Sequence, residues 1–253
     1  MAINIFEQYG LKEVADVILY DITTASPVLY LDSLKLSNIE QTASTSDAMG
    51  GKGNPKLITW DYGKEITITL QDALMSMKSL QLLVGGAAKA HTTVQKIKKA
   101  ELVKLGTAGA IATKYTAVGN IFILDTAEKI TAGTTQASTV GSAGDIVRVV
   151  YEANSTTTGA YEIVITPNTF PGTYMLVGDT VIRNKKTGLD EGFQFIIPKA
   201  KIGAELTLTM EAEGDPTAFD MTLTVLKADN GTMMSLVKYD IGSEVAGAFM
   251  SNL

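Results

Sequence analysis

A chain of 253 residues, 45% hydrophobic and 19% charged, can bury a substantial core as one large domain or two small ones, and its composition is not that of a disordered chain. The absence of cysteine excludes disulfides, thiolate nucleophiles and sulfur-ligated zinc, and a single histidine, His91, leaves one candidate for any imidazole chemistry. A formal net charge of -6 argues against gripping nucleic acid through its phosphates, though not against a surface past which DNA slides.

Taken in chain order, Met1 to Glu7 has neither a basic start nor a long apolar run, which predicts no signal peptide and folding in the cytoplasm. No stretch reaches the roughly 18 apolar residues of a membrane helix, so no membrane partner is expected. Val14 to Ile22 reads as a buried strand, and Val28 to Ile39 as a longer one whose apolar phase slips near Asp32 and Ser33, predicting a bulge or bend. A long loop is expected from Thr42 to Lys56, containing Gly50, Gly51, Lys52, Gly53, Asn54 and Pro55. Its Gly-Lys is not a Walker loop, because neither a Ser/Thr nor a helix start follows to bind phosphate. Long structureless loops in compact domains are usually functional, and subunit contact suits this one better than catalysis.

Ile66-Thr67-Ile68-Thr69-Leu70 alternates as a half-buried strand does. Apolar spacing predicts a helix over Asp72 to Leu83, ended by Gly85-Gly86, and a weaker one through Val94 to Leu105, with His91 in an exposed loop between them. From Gly106 to Gly159 the chain turns rich in Ala, Thr, Gly and Ser, with short strands at Ile121 to Leu124 and Ile146 to Tyr151. Further strands follow at Ile163 to Ile165, Phe193 to Ile197, Leu206 to Glu213 and Met221 to Val225, with turns at Thr187-Gly188 and Gly214-Asp215-Pro216 and a hairpin turn at Asn230-Gly231. The fold class is therefore mainly β with a flanking helix. The expected organisation is a large domain in two halves, 1–98 and 167–253, around an inserted β subdomain, 99–166; one elaborate sandwich with long loops is the competing reading.

Little in the chain reads as chemistry. Glu211, Glu213, Asp215 and Asp220 form the densest acidic cluster, but two lie on one strand face, so a solvated face fits better than a calcium site. Arg183, Lys185 and Lys186 read as a solvated or salt-bridged turn, and Trp60 as a core or interface anchor. No catalytic residue, cofactor site or metal ligand is assigned.

The run from Gly50 to Ile66, followed by Leu70-Gln71-Asp72-Ala73-Leu74, resembles the tail tube family of tailed phages. So do Phe170 to Tyr174, Phe193 to Lys201 and Leu208 to Pro216; these stretches flank the Ala/Thr-rich middle, and the resemblance covers about two thirds of the chain. The resemblance implies a β-sandwich or partly rolled barrel with a flanking helix, assembling with itself into rings, usually hexameric, that stack into a tube. It implies that neighbouring sheets join around a lumen carrying DNA, and that Gly50 to Pro55 reach the next ring while the N-terminal arm helps stacking. The implied partners are other tail proteins (tape measure, terminator and, in a contractile tail, sheath), and the implied location is the virion.

Unpaired sheet edges are templates for another chain, and joining subunits edge to edge in a ring removes them. A lumen that passes DNA should be polar and not basic. Thr67, Thr69, Thr207, Thr209, Glu211 and Glu213 are the expected lumen-lining residues. The inserted middle is expected outside such a tube. The competing functions are the inner tube of a phage-like bacteriocin or secretion device, and a non-enzymatic β-sandwich that binds carbohydrate, which a single Trp supports poorly.

Overall fold

The computed structural model describes residues 7–91, 95–124, 130–134, 141–155, 160–210 and 218–240. The chain forms two compact units, Met1–Ala87 with Ile165–Leu253, and Ala88–Val164. Strands β1 (Tyr9–Leu11), β2 (Asp16–Asp21), β3 (Pro27–Leu31), β4 (Leu34–Met49) and β5 (Lys56–Asp72) precede helix α1 (Met77–Val84). Next come β6 (Ala87–His91), β7 (Lys96–Lys104), β8 (Ala117–Leu124), β9 (Ile130–Thr134), β10 (Ile146–Asn154) and β11 (Ala160–Val164). The chain returns with β12 (Thr173–Asn184), β13 (Asp190–Ile202), β14 (Phe219–Val225) and β15 (Ser235–Tyr239).

The large unit is one nine-stranded sheet in the order β3-β2-β12-β13-β14-β5-β4, with β1 added to β12 and β15 to β13. Its outermost strands, β3 and β4, are joined by only Asp32 and Ser33. Three Cα steps span at most about 11 Å, so the sheet has to curl until its two ends meet, giving a partly rolled barrel. The inward residues of both ends then share one core: Val17, Leu19 and Leu31 pack with Ile66, Ile68, Leu70 and Leu223. The corner is held by Asp72, a buried carboxylate that accepts from Ser33 Oγ at 2.5 Å and from Leu74 N at 3.1 Å, while Ala73 N donates to Ser33 O at 3.0 Å.

The helix is shorter than its apolar spacing predicts because Asp72 still belongs to β5 and Ser76 sets the start. Ser76 Oγ accepts from Ser79 N at 2.9 Å and Ser79 Oγ accepts from Ser76 N at 3.0 Å, a reciprocal cap. Gly85, at φ 65°, ends it. The slip near Asp32 is thus no bulge within one strand but the crossing between opposite sheet ends.

Three other expectations give way to pairing. Val94 to Leu105 is not helical: Lys96–Lys104 is β7, with Val103 buried and Lys96, Lys98 and Lys104 exposed. The stretch 203–210 joins no sheet, and β14, the strand that follows, is already paired with β13 on one edge and β5 on the other; residues 211–217 lie outside the described ones. Asn230-Gly231 does not turn a hairpin, because β14 and β15 both run antiparallel to β13, against Ala200–Ile202 and Gly192–Ile196 respectively. They are one interrupted strand, and residues 226–234 are an excursion closed by Gly231 N to Ala228 O (2.9 Å) and Ala228 N to Thr232 O (3.0 Å).

In the small unit, β7-β10-β8-β9 form a sheet and β6 pairs with β11. Val103, Ile121, Ile123, Val149 and Tyr151 make its core, and Tyr151 OH donates to Glu101 Oε1 at 2.8 Å. His91 closes β6 rather than sitting in a loop, with Nε2 2.7 Å from Glu162 Oε2 on β11.

Two aromatic rings lie over glycines in the large unit. An added Cβ at Gly178 would fall 1.9 Å from Phe195 Cζ, and one at Gly192 would fall 2.3 Å from Tyr239 Cζ. Lys238, beside Tyr239, bridges to Glu191 at 2.5 Å and donates to Tyr9 OH at 2.5 Å, tying β15 and β1 to the same sheet end. Gly178→Ala is expected to destabilise the fold by about 1–3 kcal/mol through overpacking, read as a lower midpoint in denaturant unfolding. Burial first, then the bond Tyr239 OH donates to Asp179 at 2.8 Å, push the Tyr239 phenol up to about 12. The folded state thus favours the neutral phenol, a contribution intact below the ordinary tyrosine range and lost as pH rises through about 12. In an absorbance titration, Tyr239→Phe should remove a late-ionising phenol.

Candidate assembly surface

Only half of the β4–β5 hairpin belongs to the body. Ile66, Ile68, Leu70 and Asp72 of β5 are buried in alternation, whereas every residue from Lys56 to Glu65 is exposed. The change comes at a bulge: Thr42 faces Glu65 and Ser44 faces Tyr62, so Ala43 opposes both Gly63 and Lys64. Gly63 takes φ 60° there, a conformation costly for residues with a Cβ. Beyond it the two strands run on as a free ribbon of seven β5 residues, Lys56 to Tyr62, about 23 Å long.

The expected loop from Thr42 to Lys56 is therefore mostly strand, and only Gly50–Pro55 form the tip. Both faces of the ribbon are wet, so its Ser/Thr-rich β4 half carries no apolar period to announce a strand. Gly50 N donates to Pro55 O at 3.2 Å and Asn54 N to Gly51 O at 3.1 Å, with Gly51, Gly53 and Asn54 at positive φ. Lys52 stands exposed at the tip.

The ribbon has two unlike faces. Ile58, Trp60 and Tyr62 share one face and are 54%, 55% and 59% exposed; across from them stand only Ala48, Ser46 and Ser44. The opposite face is polar: Asp47 pairs with Lys56 and accepts from Thr59 Oγ1 at 2.7 Å. Lys56 first, and Thr59 second, hold the Asp47 carboxyl below its ordinary range. Trp60, read from sequence as a core or interface anchor, is thus outside the core. The alternation of Ile58, Trp60 and Tyr62 was the available signal for this apolar row.

Thr67 and Thr69 sit where β5 enters the body, half-buried on the face turned away from the core. Thr67 lies between Glu40 and Thr224, and Thr69 between Asn38 and Thr222; Gln71 Nε2 extends the row by donating to Asp220 Oδ1 at 2.9 Å. These residues make one polar sheet face across β4, β5 and β14, with Lys201 of β13 beside Thr224. Thr207 and Thr209 are exposed but outside any strand, so they do not extend this ladder, and Glu211 and Glu213 lie outside the described residues. The partners Thr222 and Thr224 were missed because their pairing with β5 joins segments about 150 residues apart.

Among the described residues, no group of three or more His, Cys, Asp or Glu side chains could hold a metal, and no helix is long and apolar enough to cross a membrane. The expected basic turn is salt-bridged: Arg183 binds Asp190 through Nε and Nη2 at 2.7 and 2.8 Å.

A rolled antiparallel sheet with a projecting two-stranded ribbon defines a mainly-β protein. The YomU/Tube protein family model matches residues 9–237, and the chain belongs to that family of phage tube-type structural proteins. Comparison with curated proteins finds none that matches.

Because Trp60 and Tyr62 touch no core, Trp60→Ala with Tyr62→Ala should change the unfolding free energy of the isolated chain by less than about 1 kcal/mol. Buried aromatics would cost about 3–5 kcal/mol each, so chemical denaturation separates the two cases.

Proposed function

We propose that this chain is the major subunit of a phage tail tube, assembling with itself into rings, hexameric as in the resemblance, that stack around a lumen through which DNA leaves. The observation that carries this reading is the β4–β5 ribbon. An isolated two-stranded ribbon is marginal in water, yet this one holds two large aromatics and an isoleucine in solvent. Covering them on another subunit would remove about 300 Å² of apolar surface, roughly 7 kcal/mol before the costs of association. Among the described residues the 16-residue β4 pairs with β5 alone, and in this reading its other edge receives a neighbouring copy. In this reading the tip, Gly50 to Pro55, meets the next ring.

The polar row of Thr67, Thr69, Thr222 and Thr224, with Glu40 and Asp220, suits a wall that must not hold phosphates. Tape measure and terminator proteins, and in a contractile tail a sheath, are the further partners that this reading implies. The chain then needs no catalytic group and acts by geometry alone.

Negative-stain electron microscopy of the purified chain, alone and seeded with tail-tip components, is expected to show rings or hollow tubes, and Trp60→Ala with Tyr62→Ala to abolish them while leaving a folded monomer. A chain that stays monomeric when concentrated and seeded would sink the reading. If assembly holds, Thr67→Lys with Thr69→Lys should form tubes but slow DNA delivery; unchanged delivery would remove the lumen assignment alone.

A further inference from the structure

The small unit has a second sheet face that its core does not use. Opposite the buried row of Val103, Val149, Ile121 and Ile123, the outward residues of β7 and β10 pair as Lys104 with Ile146, Leu102 with Arg148 and Lys98 with Glu152. Between them Ala100 faces Val150, which faces Phe122 of β8. Leu102 is 65% exposed and Phe122 42%, so with Ala100 and Val150 they form an open apolar centre, while Ile146, 63% exposed, lies beyond Arg148 at the edge of the face.

The cations sit at its two ends. Lys96 and Lys98 mark one, Lys104 and Arg148 the other, and Lys98 and Lys104 are about 20 Å apart along β7. Glu152 is the only acidic side chain among the described residues of this face, 3.7 Å from Lys96. A polyanion with repeating charges calls for an unbroken cationic track. An apolar centre with a charged rim is instead the anatomy of a protein–protein contact.

Charge selects the partner. Residues 88–164 hold eight Lys and Arg against six Asp and Glu, whereas the remainder of the chain holds 13 against 21. We propose that this face docks on the acidic large unit of a second copy of the chain; the inference rests on the self-assembly proposed above. Three strands of eight or nine residues offer about 400 Å², half the roughly 800 Å² per partner of a standard stable interface. A single such contact is weak, and it becomes effective when a ring or tube presents many copies together.

The test uses the full chain with Lys98→Glu and Arg148→Glu, beside Lys98→Arg with Arg148→Lys as the charge-preserving control. Circular dichroism checks folding, and sedimentation with electron microscopy follows assembly at 50 and 500 mM salt. The reversed charges should raise the concentration needed for assembly at least about tenfold at low salt, through repulsion from an acidic partner. High salt should narrow that gap, and the control should assemble as the parent does. Reversed-charge chains that assemble like the parent would overturn this inference and leave the tube reading standing. Unchanged assembly with lost retention on heparin would reassign the face to a polyanion, against the proposal. A parent chain that never self-associates, seeded or not, would remove both.

Discussion

The hydrogen bond from Ser33 to the buried Asp72 carboxylate closes the corner on which the large unit depends. Ser33 ends the two-residue crossing between the sheet's outermost strands, and Asp72 ends β5, where the chain leaves for α1. The two-residue link brings the two ends of the sheet onto one core, and the bond fixes where that link enters the β4–β5 ladder, since Leu34 pairs with Asp72. A buried carboxylate is costly without partners, so its acceptance of both Ser33 Oγ and Leu74 N is what makes the corner tolerable.

From that corner β5 becomes the central element. Its C-terminal half is locked between β4 and β14 with Ile66, Ile68 and Leu70 inward, and its N-terminal half leaves the body past the bulge at Gly63. One strand thus supplies core, polar face and projecting ribbon in turn. The rest of the sheet manages its edges differently: β15 is pinned by Lys238 to Glu191 and by Tyr239 to Asp179, and β1 is drawn in through Tyr9. The exposed apolar row on the ribbon, by contrast, has no cover among the described residues.

Where the sequence misled, a competing physical term decided. Lysines interleaved with Ile97, Ala100 and Leu102 mimic helical spacing, but β10 offers β7 a full ladder, and pairing outweighed propensity. Leu206 to Met210 alternates like a strand, yet it joins no sheet, and β14, which follows, is already paired on both edges. Asn230-Gly231 has the chemistry of a tight turn and makes one, but β13 receives the chain on both sides of it, so the turn interrupts a strand instead of reversing it. The β4 half of the ribbon was hidden for the opposite reason: its Ser/Thr-rich residues are wetted on both faces and leave no apolar period to read.

The sequence by itself determined that the protein is mainly β with one helix, lacks thiol chemistry and has a single imidazole, because composition and two-residue periodicity act locally. It also carried the likeness to tail tubes, and it placed Thr67 and Thr69 on the face opposite the core, since alternation along one strand needs no partner. Only the tertiary structure decided that β3 and β4 lie at opposite ends of one curled sheet, that residues 42–62 form a ribbon, and that Thr222 and Thr224 stand beside Thr69 and Thr67. These are pairings between distant segments. They depend on which strand edges remain free once the others have paired, and no local window of sequence contains that competition.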